Sequence, residues 1–248
     1  MPTSSPSDGR SKVGELLKRR AGRLVGVGSS MLAVAVSPIN VSAQKISAQK
    51  VRTPMFVVER LGVTAKKAMT GVSWQPNCPV GLADLRRVIV PFVDFENNEK
   101  TGAIVVHRDV AQAVGRIFVR LHDAKFPIAR IEPIEAFGGD DDRATMANNT
   151  SAFNCRPSFG ADGLPTKRWS QHAYGHAVDV NPVQNPYVLA NGSVTDPAAK
   201  KYIDRSIDEP GMALATGPLV QAFAGEGWKW GGNWHSTKDY QHFSVNGR

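Results

Sequence analysis

Cysteine is scarce, with Cys78 and Cys155 the only two among 248 residues. Neither sits in a C-x-x-C or other thiolate–zinc spacing, so sulfur is excluded from any metal site in this chain. Long apolar runs are missing too: the longest, Leu24 to Val36, is broken by Gly26, Gly28, Ser29 and Ser30. It falls short of the roughly 20 residues that a bilayer-spanning helix needs. The formal net charge is +8, but no basic stripe with interleaved aromatics accompanies it, so charge gives no case for a nucleic-acid partner. The Asp140-Asp141-Asp142 run lacks the spacing of a calcium loop and reads as a solvated turn.

The first residues do not read as part of a domain. A Ser/Pro-rich start is followed by Arg10, Lys12, Lys18, Arg19, Arg20 and Arg23, then the short apolar run, then the small residues Val41-Ser-Ala43. A basic region, a short apolar core and a small-residue cleavage site make up a secretory signal. Residues 1–43 are therefore expected to be a signal peptide, and the protein to be secreted or held at the cell envelope. A buried N-terminal helix is the alternative. Val41–Lys45 and Ile46–Lys50 repeat five residues in tandem and read as the start of a linker, 44–70, ahead of a single domain at 71–248. In an exported protein, Cys78 and Cys155 are expected to bridge. Such a bridge limits the unfolded chain by about 4 kcal/mol in the entropy picture.

The local pattern is mixed. Leu85 to Asp94 is β-branched and reads as a strand; Asn97, Asn98 and Gly102 turn the chain into a second, Ala103 to His107. Asp109 is a candidate N-cap for a helix to about Lys125, whose Val110, Val114, Ile117, Phe118 and Leu121 share one face. Ile128 to Phe137 reads as a strand, Gly138 to Asp142 as a loop, and the stretch from Arg156 to Trp169 as loop. Gly175 to Val180 and Gln241 to Val245 read as strands. Pro218 opens a helix that ends at Gly225 or Gly227, and a short helix is expected near Ala198. Strands and helices do not alternate regularly. The expected fold is α+β, an antiparallel sheet with helices packed on one side.

Chemistry concentrates near the C-terminus, in Ser170-Gln-His-Ala-Tyr-Gly-His-Ala-Val-Asp179 and Asp239-Tyr-Gln-His242. Three imidazoles and two carboxylates are enough for one zinc ion with three protein ligands, an open fourth position for water, and a carboxylate base beside it. His172 and Asp179 are an odd number of residues apart, which on a continuous strand would set them on opposite faces. Gly175 between them allows a turn that reunites them. His242, in an apolar strand, is the third expected ligand. Asp239 is the expected base, or else a group that orients a ligating imidazole. His176 and His235 are the candidates for a fourth ligand, which a purely structural site would need. Ser170, Trp230, Trp234 and Tyr187 are expected to line the cleft and bind substrate; the aromatics could equally be core.

The pattern S-x-H-x-x-G-x-A-x-D at Ser170 to Asp179, then Trp230-Gly-Gly-Asn-Trp234 and Asp239-Tyr-Gln-His-Phe243, resembles the VanY-type D-alanyl-D-alanine carboxypeptidases and the related L-alanyl-D-glutamate endopeptidases. The resemblance is clear from about residue 150 onward. It implies a zinc peptidase that cuts peptidoglycan stem peptides, with His172, Asp179 and His242 as metal ligands and Asp239 as base. Some family members carry Glu at the position of Asp239. The family's oxyanion-stabilising arginine corresponds to Arg156, with Arg168 a rival by proximity. The implied bond is the terminal D-Ala-D-Ala bond; an internal cut, or a cell-wall binding module that keeps zinc without catalysis, is the alternative. A monomer associated with the cell wall or membrane surface is expected.

Overall fold

A computed structural model describes residues 55–248. The expected signal peptide and the first part of the expected linker lie outside the described residues. Strand β1 (Val57–Arg60) and helix α1 (Val63–Met69) occupy the end of the stretch read as linker. β1 is recruited by pairing antiparallel with β2 (Leu85–Val93), whose other edge pairs with β3 (Glu99–His107). The turn between β2 and β3 is set by Asp94, whose carboxylate accepts from the Asn98 and Glu96 amides at 2.8 and 3.0 Å, while Asn97 takes a positive φ of 61°. Gly102, expected in that turn, lies inside β3 instead, opposite Val90.

Helix α2 (Ala111–Asp123) buries the apolar face read from its spacing. Val114, Ile117, Phe118 and Leu121 close against Val88 and Val90 of β2. Each such side chain is worth about 1.5–3 kcal/mol when fully removed from water, so this face anchors the helix. The N-cap is Val110 and not Asp109, because the Asp109 carboxylate is engaged by two histidines.

Beyond α2 the sequence reading needs several corrections. Only β4 (Arg130–Ile131) of the strand expected over 128–137 forms, since Pro133 turns the chain into a 3₁₀ turn at Ile134–Phe137. The expected loop 138–142 leads into helix α3 (Asp141–Met146), capped by Asp140, whose carboxylate accepts from the Arg143 amide. β5 (Asn149–Thr150) then pairs with β4 in parallel. The segment read as loop after Arg156 folds as a hairpin, β6 (Pro157–Phe159) and β7 (Pro165–Trp169).

β8 (Ala177–Asp179) lies beside the last strand of the chain, and β9 (Tyr187–Val188) follows it. The short helix expected near Ala198 is a 3₁₀ segment, Pro197–Ile203; α4 (Pro218–Ala224) starts on its proline as expected. β10 (Lys229–Trp230), β11 (Lys238–Asp239) and β12 (His242–Ser244) complete the chain. The second three-stranded sheet runs β10-β12-β8, antiparallel throughout, and β11 pairs with β9. Mixed helices and mainly antiparallel sheets fit the α+β class, but the strands divide among several small sheets. One core serves both larger sheets: Val178 and Phe243 from the second pack with Phe118 and Phe223 of α2 and α4, and the Phe223 and Phe243 rings stack at 4.1 Å.

Cys78 and Cys155 are joined, their Cα atoms 5.9 Å apart across 77 positions of sequence. The bridge ties the loop before β2 to the segment that delivers Arg156. Among the described residues no helix is long and apolar enough to cross a membrane.

Candidate active site

His242 and Asp179 are directly paired across the β12–β8 ladder, so their side chains leave the sheet on one face. His172 reaches the same point from the 3₁₀ turn Gln171–Tyr174, which Gly175 terminates at a φ of 70°. Any side chain there would be strained, and a Cβ would also lie 2.5 Å from the backbone nitrogen of His107. The turn expected at Gly175 is thus present, and it lets residues of odd separation meet.

The three donors converge. His172 Nε2 is 3.1 Å from Asp179 Oδ2 and 3.2 Å from His242 Nδ1, which is itself 3.0 Å from Asp179 Oδ1. Ligands at about 2.0 Å on a tetrahedral ion stand about 3.3 Å apart, so these spacings already approach those of a bound set. The outer nitrogens fix the tautomers: His172 Nδ1 donates to the Ala152 carbonyl at 2.5 Å, and His242 Nε2 to the main-chain oxygen of Arg248 at 3.0 Å. With an ion bound, each neutral ring would present its inner nitrogen unprotonated to the centre; without one, those nitrogens share protons with the Asp179 carboxylate. Burial works to raise the Asp179 carboxyl, but the two imidazoles outweigh it and hold it below the usual range. All three residues are buried, and the set fits a divalent ion. His176 faces Asp109 and His235 is exposed, so neither joins the group. Among the described residues three protein donors meet here, as a site with an open position requires.

Asp239 stands beside this group on β11, opposite Tyr187 of β9. Its Oδ1 is buried and has no hydrogen-bond partner among the described residues. Burial first, and the charge of Asp179 second, push its carboxyl up to about 7. The W-G-G segment holds it in place: a Cβ on Gly231 would come within 2.6 Å of the Asp239 carbonyl, so glycine permits the 3₁₀ turn Gly231–Asn233 to press against that strand.

The centre opens into a cleft of about 510 Å³, the size of a ligand site. Arg156 and Arg168 both line it. Arg156 forms an ion pair with Asp141 and lies over the Phe159 ring at 5.1 Å, and its charge reaches Asp239. Ser170 lines the cleft while its hydroxyl accepts from the His172 amide at 3.3 Å. Tyr187 and Trp234 are walls, with Trp234 packed on the His242 ring at 5.4 Å. Trp230 needs correction: it lies in the main core with its Nε1 donating to the Tyr240 carbonyl, because β10 turns that face inward, and it does not line the cleft.

Sequence reasoning missed the Ala152 and Arg248 oxygens, since backbone acceptors carry no residue signature. It also missed Asp141, read as part of a solvated turn. A capping Asp140 followed by helix-forming residues was the available signal for α3.

No curated protein and no solved structure matches the chain. Residues 165–245, which hold His172, Asp179, Asp239 and His242 but not Arg156, match the family described as D-alanyl-D-alanine carboxypeptidase, and over that stretch the chain is similar to these peptidases.

Proposed function

We propose that the protein is an exported, zinc-dependent peptidase that hydrolyses peptidoglycan stem peptides, most readily at a terminal D-Ala-D-Ala bond. The observation that carries this reading is the convergence of His172, Asp179 and His242, with tautomers fixed, next to an unpartnered buried carboxylate oxygen of Asp239. The match to the carboxypeptidase family supports a peptidase acting on a cell-wall peptide.

His172 Nε2, His242 Nδ1 and the Asp179 carboxylate would hold the ion. Such an ion supplies Lewis-acid chemistry, acidifying a water and polarising a carbonyl, and its charge favours the ionised form of a nearby carboxylate. Asp239 accepts the proton of the attacking water and returns it to the leaving amine. In the metal-free protein burial and the Asp179 charge raise its pKa; the charge of a bound ion would draw it back down and keep it ionised as the base. Arg156, held by Asp141, offers guanidinium donors to the oxyanion that develops on the scissile carbonyl. Tyr187 and Trp234 flank the peptide.

The deciding experiment is mass spectrometry of a peptidoglycan pentapeptide incubated with the protein, with and without a chelator. Loss of one alanine that stops on chelation supports the carboxypeptidase reading. A chelator-sensitive internal cut moves the activity to an endopeptidase. No cleavage by protein that retains its zinc would replace the enzyme with a cell-wall binding module.

A further inference from the structure

A second group of donors converges outside the cleft, around the same Gly175 turn. His107 Nδ1 lies 2.6 Å from Asp109 Oδ1, and His176 Nε2 lies 3.0 and 3.2 Å from the two Asp109 oxygens. The imidazole rings meet edge to face at 5.0 Å. We propose that His107, Asp109 and His176 form a second, solvent-accessible site for a divalent transition-metal ion.

The two imidazoles and the carboxylate each place a ligand atom within 4.8 Å of the others. Both imidazoles aim a ring nitrogen at the same carboxylate, so a cation there would take the position that their shared protons hold in its absence. The side chains are half-buried for the histidines and open for Asp109, at 16, 26 and 56 % exposed for His107, His176 and Asp109, which leaves a path for an ion and positions for water. Two nitrogens and one oxygen suit zinc, nickel, cobalt or copper, whereas magnesium and calcium prefer oxygen alone.

The supporting backbone is already fixed. His107 ends β3 and its amide donates to the Gly175 carbonyl at 3.0 Å. The His176 amide donates to Gln171, and the His176 carbonyl accepts from the Val245 amide at 3.2 Å. Little ordering is left for binding to accomplish, which favours occupancy of even a three-donor surface site. Asp109 also gives up the N-cap position that its sequence suggests, in favour of the two imidazoles. An ion here would clamp the end of β3 to the turn that delivers His172, so the site is a brace for the catalytic side and shares no ligand with it.

The test is equilibrium dialysis of the chelator-stripped full chain against zinc, repeated with cobalt for its visible spectrum. The proposal expects two ions per chain at saturation, the second bound more weakly. His176→Gln and Asp109→Asn should each reduce two to one and remove one component of the cobalt spectrum, while His242→Ala abolishes the other component. Near-UV circular dichroism and retention of the first ion show that a variant is folded. His176→Gln, at a partly exposed side chain, decides the question if Asp109→Asn perturbs the fold. A single ion in the unaltered protein that His242→Ala removes and His176→Gln leaves in place overturns the proposal and leaves a hydrogen-bonded His–Asp–His cluster. Two ions in both the unaltered protein and His176→Gln also overturn it. Neither result bears on the cleft, whose failure would appear as loss of the His242-dependent ion.

Discussion

His242 Nδ1 stands 3.0 Å from Asp179 Oδ1, and the two residues are register partners across β12 and β8. The ladder therefore sets two of the three donors before any ion binds, and only His172 depends on a turn. His242→Ala removes a donor from a three-donor site. Zinc affinity should fall by more than about 100-fold, beyond the cost of losing an outer partner, and peptidase activity should fall with it. Competition with a chromophoric chelator measures the affinity; unchanged zinc binding would remove His242 from the ligand set.

The Gly175 turn is the weak point of that arrangement. Gly175→Ala forces a Cβ into the left-handed region and against the His107 nitrogen. Stability should drop by about 1–3 kcal/mol in urea unfolding, with a parallel loss of zinc affinity as His172 shifts. Lost stability with intact zinc binding would mean that the turn does not govern the His172 position.

Asp239→Asn should keep zinc bound and lower kcat by about 10²–10⁴-fold, the range of a lost general base. In the metal-free protein the same substitution should stabilise the fold. An aspartate whose folded pKa is raised to about 7 carries no penalty below its ordinary value near 4 and the full penalty above about 7. The advantage of Asn should therefore be absent in acid and grow through that window to on the order of 1–2 kcal/mol, allowing for partial solvent access. Thermal melts of the stripped proteins across pH check the sign.

Arg156→Ala should reduce kcat by about 10²–10³-fold with a smaller change in KM, as expected for a donor used mainly in the transition state. Asp141→Asn keeps Arg156 present but loosens its anchor, so a smaller loss is expected. If Arg168→Ala gives the large effect and Arg156→Ala none, the oxyanion role passes to Arg168, which lines the same cleft.

Replacing Cys78 and Cys155 by Ser frees a loop closed across 77 positions. The loss should be at most about 4 kcal/mol in denaturant unfolding. Zinc binding in the cleft should survive, because His172, Asp179 and His242 all lie outside the loop that the bridge closes.

Much of the site was legible in the sequence because it depends on residue type and spacing. Glycine at 175 permits a turn, and the two flanking ligands and the D-x-x-H segment name a chemistry that few other arrangements share. β2 and α2 were equally readable, since their apolar periods match their buried faces. The α3 helix and the β6–β7 hairpin were not. Both are short, and tertiary contacts outweigh local preference in elements of that length.

The sequence by itself determined the donor types, the position of the turn, and the pairing possible for two lone cysteines. Only the tertiary structure decided which donors meet. It brought Asp179 and His242 into register, set main-chain oxygens behind both imidazoles, turned Trp230 into the core, and drew His176 away to Asp109 and His107. The physical reason is that ligand identity is a property of a side chain. Convergence depends on strand register, turn handedness and backbone acceptors contributed from distant parts of the chain.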